Sequence, residues 1–159
     1  MISVDFPGHR FRLRAAGIVI DDGCVLLHRP VGDTVWALPG GRVEAGEEAS
    51  ACVAREFEEE IGEAVECGAL LHVVENFFAL GDRPYHEVGL YFDVTLRPGS
   101  ALLDKARSHA GIEGERHLEF RWFSRSALDG LEIRPAALRD ALAGDGPHPA
   151  HIVQRDRGS

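Results

Sequence analysis

Between Glu56 and Glu63 the chain sets four carboxylates, Glu56, Glu59, Glu60 and Glu63, at i, i+3, i+4 and i+7. On a helix this spacing, at about 100° per residue, gathers all four on one narrow face. Like charges at i, i+4 destabilise a helix, and no lysine or arginine follows any of the four at i+3 or i+4 to offset them. A hard divalent cation is the simplest neutraliser, because magnesium takes carboxylate oxygens and keeps water or a substrate phosphate in its remaining positions. An arbitrary acidic run is more often a solvated face. Here Val53, Phe57 and Ile61 supply a separate apolar row, so the acids lie at the edge of a helix whose core face is already specified. Just upstream, Pro39, Gly40, Gly41 and Gly46 form a turn whose bare backbone can approach an ion or a phosphate, with Glu47 and Glu48 near the helix start.

Gly41, Glu47, Arg55-Glu56, the apolar Phe57, Glu59-Glu60 and Gly62, at the intervals found here, resemble the signature of the Nudix hydrolases. The one departure is Glu63, where that family usually has an aliphatic residue. The resemblance implies an α/β fold, an α/β/α sandwich around a mixed β-sheet. It implies hydrolysis of a phosphoanhydride in a nucleoside diphosphate linked to another moiety. A nucleotide sugar such as ADP-ribose, a nucleoside triphosphate and a dinucleoside polyphosphate all fit that description. It also implies Mg2+, with Mn2+ able to substitute, held by Glu56, Glu59 and Glu60 and joined by the carbonyl of Gly40 or Gly41. Arg55 is carried over as the residue that orients the acids, and Glu47 as one that fixes the turn or holds a further metal. A general base must lie within hydrogen-bond reach of the attacking water. Glu59, Glu60 and Glu115 are the candidates, with Glu113 the fallback for Glu115. Arg29 and Gly41 are the candidate substrate contacts; Arg29 reads equally as a surface arginine or a phosphate ligand. A nucleotide sensor that keeps the Nudix fold without cleaving is the rival reading, and the intact acid set argues against it.

The elements that must position these residues fit one domain of 159 residues, 45% of them hydrophobic. Phe11 to Ile20 and Cys24 to His28 read as strands joined into a hairpin by Asp21-Asp22-Gly23. Cys67 to Leu80 and His86 to Leu96 make a second hairpin around Gly81-Asp82, with Glu75, Asn76, His86 and Glu87 as cross-strand partners. Aromatic Phe77, Phe78, Tyr85 and Tyr91 read as core before they read as base-stacking groups. Arg97 to Arg116 reads as a long polar loop carrying Glu113 and Glu115, of a length that is often functional. His117 to Ser124 is a strand with Trp122 in the core, Arg125 to Gly130 a short turn or helix, and Pro135 to Ala143 a last helix. A flexible tail is expected from about Gly144.

The net charge of −9 argues against nucleic acid and anionic membranes as partners. No apolar run reaches the ~18 residues a membrane span needs. Three cysteines without paired spacing read as buried thiols of a reducing compartment. A cytoplasmic protein acting on a small nucleotide is the expectation, and a homodimer is compatible with it.

Overall fold

Side chains on a strand point alternately to its two faces, and here that alternation feeds two separate cores. The computed structural model describes residues 1–156. Its strands are β1 (Ser3–Phe6), β2 (His9–Ile18), β3 (Ile20–Asp21), β4 (Cys24–Pro30), β5 (Gly40–Arg42), β6 (Val65–Leu80), β7 (Arg83–Leu96), β8 (His109–Glu113), β9 (Arg116–Ser124) and β10 (Ala150–Arg155). Helix α1 spans Ala49–Ile61 and α2 spans Ala137–Ala143. The larger sheet runs β1-β2-β7-β6-β10 with β5 also against β2; the smaller runs β3-β4-β9-β8. Because β2 pairs with β7, and β6 with β10, in parallel, the larger sheet is mixed.

One core joins Ala15, Val19, Leu26, Phe120 and Trp122 to Val53 and Phe57 of α1. The other joins Ala16, Ile18, Val25, Leu27 and Tyr91 to Leu138 and Leu142 of α2 and to Leu128 of the 3₁₀ turn before it. Neighbouring residues of β2 and β4 therefore serve opposite cores, and the strands lie between two helical layers. The α/β/α arrangement expected from the sequence is the one found.

Four local expectations are corrected. The first hairpin closes over only two pairs, Ile20 with Val25 and Asp21 with Cys24. With both faces buried, β2 leaves that hairpin and enters the larger sheet between β1 and β7. The stretch from Arg97 to Arg116 is not an open loop: it holds a 3₁₀ turn at Ala101–Leu103 and the strand β8. In β8 only His109 is buried, so the segment lacks the apolar alternation that marks a strand in sequence. The tail after Gly144 returns as β10, in register from Ala150 opposite His72 to Arg155 opposite Phe77. Finally, β1 precedes the first strand expected and pairs antiparallel with it. The hairpin of β6 and β7 is present as expected, tightly turned between Leu80 and Arg83. Among the described residues no helix is long and apolar enough to cross a membrane.

Candidate functional site

Helix α1 follows Glu48, whose backbone is still extended, and stops at Gly62, whose φ of 70° only glycine adopts easily. The Gly62 amide donates to the Glu58 carbonyl and the Glu63 amide to that of Phe57, closing the helix end. Glu63 thus lies beyond the helix and accepts a 2.8 Å hydrogen bond from Ser100, which reduces the expected four-acid face to three. Of those three, Glu59 is exposed, Glu56 is half-buried and Glu60 is only 3% exposed, so Glu60 sits inside the molecule rather than at the helix edge.

The positive charge that offsets the acids comes from upstream. Arg55 Nε donates to Glu47 Oε1 at 2.7 Å and Nη2 to Oε2 at 3.0 Å, a bidentate pair. Its Nη1 bridges Glu56 Oε1 at 3.0 Å and Glu59 Oε2, one helical turn on, at 3.1 Å. The hydrogen bonds from Arg55 hold the Glu47 carboxyl well below the usual range, at about 2. Glu47 Oε2 also accepts the Glu44 amide at 2.9 Å, so one carboxylate ties the turn to the helix.

Strand β5 brings the glycines in beside the acids, with Gly40 opposite Ala16 and Gly41 opposite Ala15 of β2. A Cβ at Gly41 would stand 2.2 Å from Glu56 Oε1, and one at Gly40 would stand 2.2 Å from the Ala15 carbonyl. The Glu56 carboxylate therefore rests directly on bare backbone.

Glu60 faces His28 of β4, a residue the sequence did not single out. His28 Nδ1 is 3.4 Å from Glu60 Oε2, yet neither His28 Nδ1 nor Glu60 Oε1 has a hydrogen-bond partner. Burial, and then the negative charge of Glu113, pushes the Glu60 carboxyl up to about 8. Burial and the positive charge of Arg14 push the His28 imidazole down to about 3. At neutral pH both groups are uncharged, so their proximity is not a salt bridge. Glu113, at the end of β8, acts electrostatically on Glu60, His28 and Arg14. Glu115 lies in the turn between β8 and β9. The structure thus brings the fallback carboxylate, Glu113, to the acids, and leaves Glu115 on the hairpin tip.

A cleft of about 530 Å³ opens beside this group, and His28 belongs to both. Its walls include Arg12, Arg14, Asn76, Phe78 and Glu87, with Arg134 and Asp156 at the rim. Asn76 and Glu87 are cross-strand partners, as expected from the sequence. Phe78 stacks on Tyr85 with centroids 5.1 Å apart, and the Arg12 guanidinium lies 5.1 Å from each ring. Tyr91 is buried in the second core and Phe77 stacks on His86. Arg29 is engaged elsewhere, bonded to Glu119 at 3.0 Å and stacked 4.2 Å over Trp36. The signal that could have located the cleft is the alternation of Arg10, Arg12 and Arg14 along β2, three cations on one face of a strand.

As the side chains stand, no three His, Cys, Asp or Glu residues among those described converge to hold an ion. The donor chemistry nevertheless suits a hard divalent cation. Glu56, Glu59 and Glu60 offer carboxylate oxygens, and the Glu60 oxygen without a partner is the kind of buried polar atom that a folded protein rarely leaves unmet.

Comparison with known proteins agrees with this fold. The NUDIX domain profile matches residues 10–143. A MutT-like protein of Streptomyces ambofaciens is 30% identical over 138 residues, which cover 84% of this chain and 78% of the relative. A putative ADP-ribose pyrophosphatase of Bacillus subtilis (strain 168) is 29% identical over 103 residues, 64% of this chain and 50% of the relative. Among solved structures, a MutT protein from Methanosarcina mazei Go1 superimposes with a TM-score of 0.61 at 24% identity, covering 83% of this chain and 90% of the other. A MutT NUDIX hydrolase from Burkholderia pseudomallei gives the same TM-score at 23% identity, over 84% of this chain and 98% of the other. At these identities the two structures speak to fold alone.

Proposed function

Since the chain belongs to the Nudix hydrolase family, we propose that it cleaves a phosphoanhydride bond in a nucleoside diphosphate carrying a further group, with Mg2+ or Mn2+ held by Glu56, Glu59 and Glu60. The observation that carries this reading is Glu60: a buried carboxyl, pushed up to about 8, with one oxygen unpartnered and other acids close by. Burying such a group costs stability unless something binds it.

When bound, a divalent ion screens the diphosphate charge, polarises the attacked phosphorus and lowers the pKa of water. The chain's own residues do the rest. Arg55 fixes Glu47, Glu56 and Glu59 in one constellation, and Glu47 closes the turn that presents the backbone oxygens of Gly40 and Gly41. Glu113 is assigned as the base that takes the proton of the attacking water, because β8 packs against the end of α1, with Gly111 against the Glu60 carbonyl, whereas Glu115 sits on the hairpin tip. The cleft takes the nucleoside end: Phe78 and Tyr85 offer an aromatic wall, and a volume of about 530 Å³ suits a small ligand. The name of one relative makes ADP-ribose the first substrate to try, beside the nucleoside triphosphates and dinucleoside polyphosphates that the family resemblance allows.

The test combines product release with a melting curve. Nucleoside triphosphates, ADP-ribose and dinucleoside polyphosphates are incubated with Mg2+ or Mn2+, and phosphate or monophosphate is measured. Metal should raise the melting temperature by mass action, and EDTA should abolish the rise. Glu56→Gln and Glu60→Gln should fold and lose activity. A fully active Glu60→Gln protein, or a melting curve indifferent to millimolar metal with and without nucleotide, would overturn the reading.

A further inference from the structure

Arg29, the arginine expected at the phosphates, is held by Glu119 and Trp36. The row along β2 offers another. Arg10 has Asp5 at 3.6 Å and Arg12 is paired with Glu87. Arg14 differs: among the described residues no carboxylate lies within ion-pair distance of it, and its Nη2 donates to the Leu38 carbonyl at 3.0 Å. Tyr91 and the carboxylate of Glu87 hold its charge in place against burial, and its planar fork of donors is not taken up by any carboxylate among the described residues.

Its position decides which anion. The Arg14 backbone is in register with Arg42, one residue along from the Gly41 that supports Glu56. Its side chain lines the cleft together with His28, which in turn lies 3.4 Å from Glu60. The carboxylates of Glu87 and Glu113 act on it from a distance without pairing with it. Arg14 therefore stands at the junction between the acids and the cleft, where the bridge between nucleoside and scissile bond must pass. A guanidinium presents a planar fork of N–H donors that matches two phosphate oxygens at once.

We infer that Arg14 is the side chain that grips the diphosphate of the substrate from the cleft side, and that Arg29 does not touch it. The ligand class is the phosphoanhydride itself, common to pyrophosphate, nucleoside polyphosphates and nucleotide sugars. The inference rests on the hydrolase reading above and adds the contact that orients the bond to be cleaved.

Methylenediphosphonate, an uncleavable diphosphate without a base, is the probe. Its binding in saturating Mn2+ is measured by calorimetry for the wild type, Arg14→Gln, Arg14→Lys and Arg29→Gln, and Mn2+ binding alone is measured in parallel. Loss of a charge-assisted bidentate contact should weaken the probe about 10- to 100-fold in Arg14→Gln. Arg29→Gln should stay within about threefold of the wild type, and Mn2+ affinity without the probe should be unchanged in both. If Arg14→Gln fails to fold, Arg14→Lys carries the test: it keeps the charge and loses the fork, so the probe should bind about fivefold more weakly or worse.

Unchanged probe affinity in the Arg14 variants overturns the inference. So does a matching loss of Mn2+ affinity, which would mark Arg14 as structural. A wild type that cleaves nucleotides but ignores the probe also overturns it and leaves the hydrolase reading intact; a wild type that cleaves nothing removes that reading first.

Discussion

Replacing Glu60 by Gln should flatten the pH dependence of stability in the metal-free protein. In the fold, burial and the charge of Glu113 push the Glu60 carboxyl from its ordinary 4.5 to about 8. Between those values the folded chain keeps a proton that the unfolded chain has released. Stability therefore falls as pH rises, by up to about 1.4 kcal/mol per pH unit for one proton. His28 works in the opposite sense at lower pH: its imidazole, pushed from 6.5 to about 3, is protonated only in the unfolded chain between those values, so stability rises with pH there. Above pH 6.5 the His28 contribution is complete, and the window from 6.5 to about 8 isolates Glu60. Over roughly 1.5 pH units the wild type should lose about 2 kcal/mol that the Gln variant keeps. Glu56, also raised by burial, is present in both proteins and cancels in the difference. Urea unfolding in EDTA at several pH values across the window gives both slopes. Superimposable slopes would show that the Glu60 carboxyl is not held protonated by burial and would remove the observation on which the metal site rests.

Two further outcomes separate neighbouring residues. Glu113→Gln should lower turnover by the 10²- to 10⁴-fold typical of a lost general base, with Mn2+ affinity little changed, while Glu115→Gln stays near normal; the reverse ranking in a steady-state assay would return the base to the hairpin tip. Gly41→Ala and Gly40→Ala should fail in different ways. The Cβ at Gly41 meets the end of the Glu56 side chain, which can swing aside, so the protein should fold and lose most of its metal-dependent rise in melting temperature. At Gly40 the Cβ meets the Ala15 carbonyl and Ala16, so β5 must part from β2, at about 1–3 kcal/mol or more on a urea curve. Equal stability losses in the two variants would mean that Glu56 does not rest on Gly41.

The acidic helix was legible because its information is local. Its core face, with Val53 and Phe57 buried, is written in consecutive residues; the stop at Gly62, which ends α1 at Ile61 and leaves Glu63 outside it, was not read from the pattern. The order of strands and helices was legible for the same reason, since alternation and turn residues act at short range. What the sequence concealed depends on partners far along the chain. Glu60 was expected with the other ligand acids at the helix edge, and only packing beside His28 of β4 makes it a buried one. Arg29 and Arg14 are indistinguishable as types; distant Glu119 and Trp36 occupy one and leave the other without a carboxylate. Strand β8 and strand β10 carry too little apolar alternation to declare themselves, and each is specified by the strand it pairs with.

The rim of the cleft has a consequence for how such a protein can diverge. Arg134 and Asp156, 3.3 Å apart, come from the last part of the chain, whereas Arg12 and Arg14 come from the first, and none of the four belongs to the acidic helix. On the proposed reading, the acids that act on the bond and the late residues of the cleft are inherited through separate stretches of sequence. On that reading, drift in the late segment reshapes which nucleoside is accommodated while hydrolysis continues. Grafting that segment from a relative of different preference should carry the preference with it as a single heritable block.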